Sequence, residues 1–394
     1  MLLHTIVSKL CFSRQVTNTL HTHSAGYWFF LFLLLLSQLV ACSEPPNVYP
    51  ISAIGGQTMG TTYNISIVDN ASDEHFSDAK LNAIKSTIDA KLVDINLLMS
   101  TYIADSEISR FNQIEHNQWF ALSPETLSVI EYSLYLSELT NGKFDITVSP
   151  LVNLWGFGSE GETDFPSAEA IAKAKEKVGW KALIIDKKNL RIKKAKPLTI
   201  DLSAIAKGYG VDVIAQWLET QGIDSYLVEI GGEIRVKGRK PGGKRWRVGI
   251  ETPSLFQQGA RKVIELNDVA VATSGDYRNF FEKEGIRYSH TIDPVTGNPV
   301  IHNIASITVI VSSSLTDKTI DSDASDASDA SDETRRKTYS AMKADGLATA
   351  FMTLGEEEAQ ALANQLGLPI YILRYDDEVF TESFSNGFVP YLSY

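Results

Sequence analysis

Four widely separated segments of this chain set glycines and other small residues around a few polar side chains, where a close-packed domain would place bulky apolar groups. The first, GGQTMGTT at 55–62, reads as a glycine-rich loop feeding a strand. In the second, DLSAIAKGYG at 201–210, a strand runs into a helix whose first turn carries Lys207. The third, HTIDPVTG at 290–297, is a strand ending in an Asp-Pro turn closed by glycine. The fourth, ADGLATA at 344–350, is helical, so Asp345 and Thr349 stand four apart on one face. A shared character of this kind suggests a ligand lying against backbone.

Each segment offers a chemistry. Free amides at the start of the second helix, with Lys207 beside them, suit a pyrophosphate. Gly208 and Gly210 weaken that helix without a local benefit, which favours a ligand there. Asp345 and Thr349 offer part of an oxygen shell for a hard cation. His290 is a proton acceptor near neutral pH, and Asp293 bonds the amides of its own turn. Taken singly, Lys207, Asp345 and Thr349 also fit ordinary surface positions. The Ala, Leu and Phe residues around the last two argue that this helix face is covered.

Composition removes several classes of function. The 394 residues, 44% apolar, suffice for a large core, and a formal charge of -12 leaves no excess of bases to neutralise a phosphate backbone, so no nucleic acid partner is expected. The two cysteines, Cys11 and Cys42, precede the folded region, which excludes a disulfide or a thiolate metal site within it.

The N-terminus carries an export pattern. Residues 1–26 contain Lys9 and Arg14 and no acid, and an apolar run at 27–40 is too short for a comfortable membrane span. It ends in Leu39-Val40-Ala41-Cys42, which resembles a bacterial lipobox with Cys42 as the lipidated residue. The expected organisation is a lipoprotein signal peptide at 1–41, a proline-containing tether at 42–50 and a folded domain at 51–394. The competing reading is an uncleaved N-terminal anchor. Either way the body faces the periplasm beside a membrane.

Within the domain, Thr61–Val68 alternates as a strand, and Leu81, Ile84, Ile88, Leu92, Ile95 and Met99 recur at helical spacing. Ser123 with Pro124 starts a second helix that ends at Asn141-Gly142, and a third spans 167–178. Strands are expected at LIID and LRIKKAKPLTIDL, then a helix at 204–219. Strands then dominate, in YLVEIGGEIRVKG, RWRVGIE, KVIELN, VAVATSG, YSHTID and ASITVIV. A last helix, capped by Ser340 and stopped by Gly355, precedes the strand YILRY. This order predicts one α+β domain rather than a βαβ repeat. The acidic low-complexity run inside about 316–338 reads as a solvated loop inserted before the last helix.

In order along the chain, the motifs QTMGT from Gln57, STY from Ser100, GKFD from Gly142, DLSAIAKG from Asp201, GGE from Gly231, HTIDP from His290 and ADGLAT from Ala344 resemble those of the FAD:protein FMN transferases, the ApbE-type lipoproteins. The likeness runs from Gly55 to Thr353. It implies a mixed, T-fold-like domain and an FAD site lined by Met59, Tyr102, Lys143, Phe144, Asp145, Asp201, Lys207, Ile292 and Ala348. It implies Mg2+ held by the Ala204 carbonyl, Asp345 and Thr349. The implied reaction moves the FMN moiety of FAD to a threonine hydroxyl of an acceptor and releases AMP, with His290 as the candidate catalytic base. Implied partners are FAD and acceptor subunits of Na+-translocating NADH:quinone reductase or related electron-transport complexes. The implied location is the periplasmic face of the inner membrane, or the outer membrane, through the lipid anchor. Rival readings are an FAD pyrophosphatase giving FMN and AMP, and a non-catalytic FAD-binding lipoprotein. This sequence departs from the family in Gly346, where alanine is usual and glycine costs about 1 kcal/mol of helix stability, and in the acidic insertion.

Overall fold

A strand apolar at every position belongs inside a sheet that is covered on both faces. Val269–Ala272 is such a strand, with Ala270 and Ala272 in one apolar cluster and Val269 and Val271 in a second across the sheet. The computed structural model describes residues 50–69, 76–158, 165–251, 259–276, 280–283, 286–312, 339–376 and 379–392. The expectations for the signal peptide, Cys42 and most of the tether, and for the acidic run, lie outside the described residues. The folded unit is Tyr49–Tyr394. Every apolar cluster lies within it, so it carries its own core. Among the described residues, no helix is long and apolar enough to cross a membrane.

The central sheet has eight strands whose spatial order follows the chain: Ile51–Thr58, Thr61–Val68, Tyr226–Ile230, Glu233–Lys237, Val269–Gly275, Ile304–Ser312, Ile370–Asp376 and Val379–Phe384. Every neighbouring pair is antiparallel. Helices Asp78–Met99, Ala206–Thr220 and Ser340–Leu354 contribute the larger cluster on one face, and the hairpin Trp246–Glu251 with Ala260–Leu266 contributes to the other. This is an antiparallel sheet packed with helices, an α+β arrangement as the order of predicted elements implied.

Local chemistry explains the element ends. The hydroxyls of Ser77, Ser123 and Ser167 accept from the amides of Lys80, Thr126 and Ala170, so each caps its helix. The first of these helices buries Ile84, Ile88, Leu92, Ile95 and Met99, the predicted face.

Three expectations are corrected. The glycine-rich stretch is mostly strand, because Gly56 lies across from Tyr63, whose ring would be 2.5 Å from a Cβ at that position. Only Met59 (φ 49°) and Gly60 (φ 72°) form the turn, a two-residue hairpin of positive φ. Ser340 is the first residue of its helix, not its cap. Asp212, from the helix Ala206–Thr220, accepts from the Met342 amide at 2.9 Å and does the capping across the interface. The strand at Arg191 ends at Lys194 and does not reach Asp201. The helices Glu107–Gln113, Ser149–Leu154 and Glu356–Leu366 and the edge strand Val379–Phe384 had no counterpart in the sequence reading.

Helices Ala206–Thr220 and Ser340–Leu354 touch at Gly208. A Cβ there would fall 2.3 Å from the Ala341 carbonyl oxygen and 2.8 Å from Asp345 Cβ. The glycine therefore has a local benefit after all, which is close packing. Gly208→Ala is expected to lower unfolding free energy by about 1–3 kcal/mol in urea titrations, despite alanine's better helix propensity. Gly210→Ala, whose Cβ would meet only the ends of the Met59 and Ile230 side chains at 3.1 and 3.3 Å, should cost less. Equal losses would contradict this account.

Candidate active site

The helix crossing delivers Asp345 onto the first turn of the other helix. The Gly208 amide donates to Asp345 Oδ2 at 2.9 Å. Gly208 is the third residue of its helix, so its amide has no acceptor within that helix, and Asp345 supplies one; Ala204 lies just before the helix. Thr349, one turn on, shares a 3.1 Å hydrogen bond with the hydroxyl of Ser274.

Lys207 does not stand free for a phosphate. Its Nζ lies 3.6 Å from Asp345 Oδ1 and 3.4 Å from Glu233 Oε1. Glu233 opens its strand directly after Gly231 (φ 59°) and Gly232 (φ 104°), a turn that side chains would strain. A Cβ on Gly231 would also come within 3.2 Å of Lys207 Cδ, so the lysine stem packs over bare backbone. Both carboxylates are 3% exposed, and Glu233 Oε2 is buried without a hydrogen-bond partner. The sequence reading quoted Glu233 within a motif but gave it no role. A lone acid after two glycines carries no signal for burial.

Burial dominates the titration of these acids. It pushes Glu233 up to about 8 against the pull of Lys207, and raises Asp345 against Lys207 and the Gly208 amide. Burial alone would lower Lys207, but Asp345 and Glu233 outweigh it and hold the amine protonated.

Ser274 leads to the second group. Two residues on, buried Asp276 accepts from the Thr291 hydroxyl at 2.7 Å, and its Oδ1 lies 3.4 Å from His290 Nδ1. His290 keeps 39% of its side chain exposed. Asp276 orients the ring, a partner that the sequence reading missed. On the same turn, Asp293 accepts from the amides of Val295 and Thr296, as predicted, and from Lys143 Nζ at 2.7 Å.

The remaining predicted residues divide. Met59 reaches over Gly210, and Tyr102 is 82% exposed, with a bare ring face. Asp201 accepts from the Ser203 amide ahead of the Lys207 helix. Asp145 is buried and committed to Thr147 and the Trp180 amide, with burial the largest influence raising its carboxyl. Phe144 and Ala348 lie in the main apolar cluster, and Ile292 in a smaller one with Trp155. Among the described residues, no three His, Cys, Asp or Glu side chains gather as a metal cluster.

The model of the ApbE family matches residues 59–325, more than half of the chain. The chain belongs to the ApbE family. It is 42% identical over 362 residues to the FAD:protein FMN transferase of Vibrio cholerae serotype O1, covering 92% of this chain and 98% of that one. The solved structure of the flavin transferase ApbE from Vibrio cholerae matches with a TM-score of 0.73 and 40% identity, over 87% of this chain and all of that one. The apo flavinyl transferase ApbE of Pseudomonas stutzeri matches with a TM-score of 0.72 and 35% identity, over 87% and 97%. The mixed sheet-and-helix architecture is that of the ApbE family.

A pH test reports on the buried cluster. Glu233 has an ordinary value of 4.5 and sits near 8 in the fold. Between these values the unfolded chain has lost a proton that the folded chain keeps, so stability falls as pH rises. Asp212, raised by burial to about 6, acts in the same sense below that pH. Asp345, raised by the same burial and sharing Lys207, titrates together with Glu233, so the interval from about 6 to 8 reports on this pair. With chelator present, thermal unfolding should show stability declining across it, and Glu233→Gln should flatten the slope. Parallel slopes would rule out the assignment.

Proposed function

We propose that this chain transfers the FMN moiety of FAD to a threonine hydroxyl of an acceptor protein. The observation that carries the reading is the buried Asp345–Lys207–Glu233 cluster in a chain that aligns end to end with whole flavin transferases. Two buried carboxylates face one amine, and a carboxylate oxygen is left over. A site with that balance favours added positive charge.

The residues fit Mg2+. Asp345, the Thr349 hydroxyl and the Ala204 carbonyl just before the Lys207 helix are all oxygen donors, which this ion requires. Bound there, the ion would neutralise charge developing on the pyrophosphate oxygens. Lys207, held protonated, adds a fixed cation to the same region. Tyr102 offers an exposed aromatic face for a planar ring, with Met59 and the Lys143–Asp293 pair contributing further lining.

In the transfer, the threonine oxygen bonds to the phosphorus nearer the riboflavin as the bond from that phosphorus to the bridging oxygen breaks. AMP leaves with the bridging oxygen. The hydroxyl proton passes to His290, which is open to solvent on one side and oriented by Asp276 on the other. The acceptors we infer are subunits of Na+-translocating NADH:quinone reductase or related electron-transport complexes. The body would work at the periplasmic face of the inner membrane, tethered through Cys42.

The test is to incubate the protein with FAD, Mg2+ and a threonine-containing acceptor peptide and to weigh the peptide. A gain of one FMN unit is expected. Free FMN with an unmodified peptide would instead indicate hydrolysis, and intact FAD would indicate binding alone. His290→Ala should slow transfer by about two to four orders of magnitude while FAD still binds. Full transfer at neutral pH by that variant would remove the histidine from the mechanism. Asp345→Asn should abolish the Mg2+ dependence.

A further inference from the structure

We propose that the small three-stranded sheet, Phe120–Ala121, Arg191–Lys194 and Leu183–Asp186, is a membrane-facing surface that binds anionic phospholipid. This goes beyond the transfer reaction and stands independently of it. Seven of the sixteen residues 181–196 are Lys or Arg and only Asp186 is acidic, in a chain whose formal charge is -12. A basic segment of that density on an acidic body sets which side approaches an anionic surface.

The sheet displays these charges outward with apolar groups between them. Along the central strand Ile192 and Lys194 are buried, so Arg191 and Lys193 point the other way. Both lie over the ring of Trp119, at 4.4 and 4.8 Å from its centroid, and Trp119 is 40% exposed. Ile184 pairs with Lys193 in register and is also 40% exposed, and Leu190 at the turn is 39% exposed. An aromatic and two aliphatic side chains among bases match a headgroup layer, which is charged outside and apolar beneath.

Some of the charge is already matched. Arg191 is held by Asp186 at 2.8 Å and Lys187 by Glu131 at 3.1 Å. Lys181, Lys188 and Lys193 have no acidic partner among the described residues. A cavity of about 840 Å3, lined by Glu115 and His116 as well as Lys173, Lys177 and Lys194, opens on the Lys194 side of the sheet and is separate from this face. Lys194 itself is satisfied by the carbonyls of Phe111, Asn112 and Leu198 and serves the scaffold.

The experiment is cosedimentation of the folded unit 49–394 with vesicles of phosphatidylglycerol mixed with phosphatidylcholine, against phosphatidylcholine alone. Binding is expected only to the anionic vesicles and should be released by salt. Each lysine near such a surface contributes about five-fold in partitioning, so the triple change Lys181→Gln, Lys188→Gln and Lys193→Gln should weaken binding on the order of a hundred-fold. Trp119→Ala should weaken it without changing its salt dependence. Modification of a soluble acceptor peptide should stay unchanged in both variants, which shows them folded. Equal binding to neutral vesicles, or undiminished binding by the triple variant, would overturn the proposal. So would a triple variant that keeps vesicle binding but fails to modify an intact acceptor protein, which would assign the face to an acidic protein partner.

Discussion

The site depends on one close contact, the crossing of two helices at Gly208. Because residue 208 has no side chain, the Ala341 carbonyl and Asp345 lie where a Cβ would otherwise stand. The carboxylate then takes the Gly208 amide, the third of its helix, for which that helix offers no acceptor. A packing contact is thereby converted into a helix cap that holds Asp345 beside Lys207.

Two buried acid–base groups, each joining the helix Ala206–Thr220 to the strand Glu233–Lys237, show how scaffold differs from site. Asp212 is fully buried, yet it is satisfied by Arg235 at 2.8 Å and the Met342 amide at 2.9 Å, and it fixes the start of the neighbouring helix. Glu233 is equally enclosed but keeps one oxygen without a partner, and it shares a single lysine with Asp345. Native folds rarely leave such an atom unmatched, because its desolvation costs about 1–3 kcal/mol or more. That unmet demand sets the Glu233 cluster apart from Asp212, both of whose oxygens have partners.

Sequence patterning read the large elements well because their burial is periodic. The helix face from Ile84 to Met99, the serine cap at Ser123 and the turn built on Asp293 all followed from spacing and side-chain chemistry. Glycine has no such periodicity, and the strand containing Gly56 passed for a loop because its partner, the Tyr63 ring, lies on another strand. Short helices such as Glu107–Gln113 span too few turns to show a face. Asp345 and Thr349 were legible from their four-residue spacing. Glu233 and Asp276 were not, since nothing near either residue in the chain marks a carboxylate that acts through a lysine or a histidine far away in sequence. Phe144 and Ala348, read from family likeness as lining residues, sit in the core.

The two halves of the site are joined by the centre of the sheet. Ser274 and Asp276 are two residues apart at the end of the strand Val269–Gly275, so they continue the face that carries Ala270 and Ala272 toward the helices. Ser274 meets Thr349, and Asp276 meets His290. Two strand residues advance about 7 Å. That strand is hydrogen-bonded on both sides at Val269–Val271 and stays paired with Ile304–Ser312 as far as Gly275, and the Asp276 amide donates to the Ala305 carbonyl, so the sheet fixes the spacing of the two side chains. His290 thus sits against a carboxylate that the sheet itself positions, and Thr349 is tied to the same strand through one hydroxyl pair.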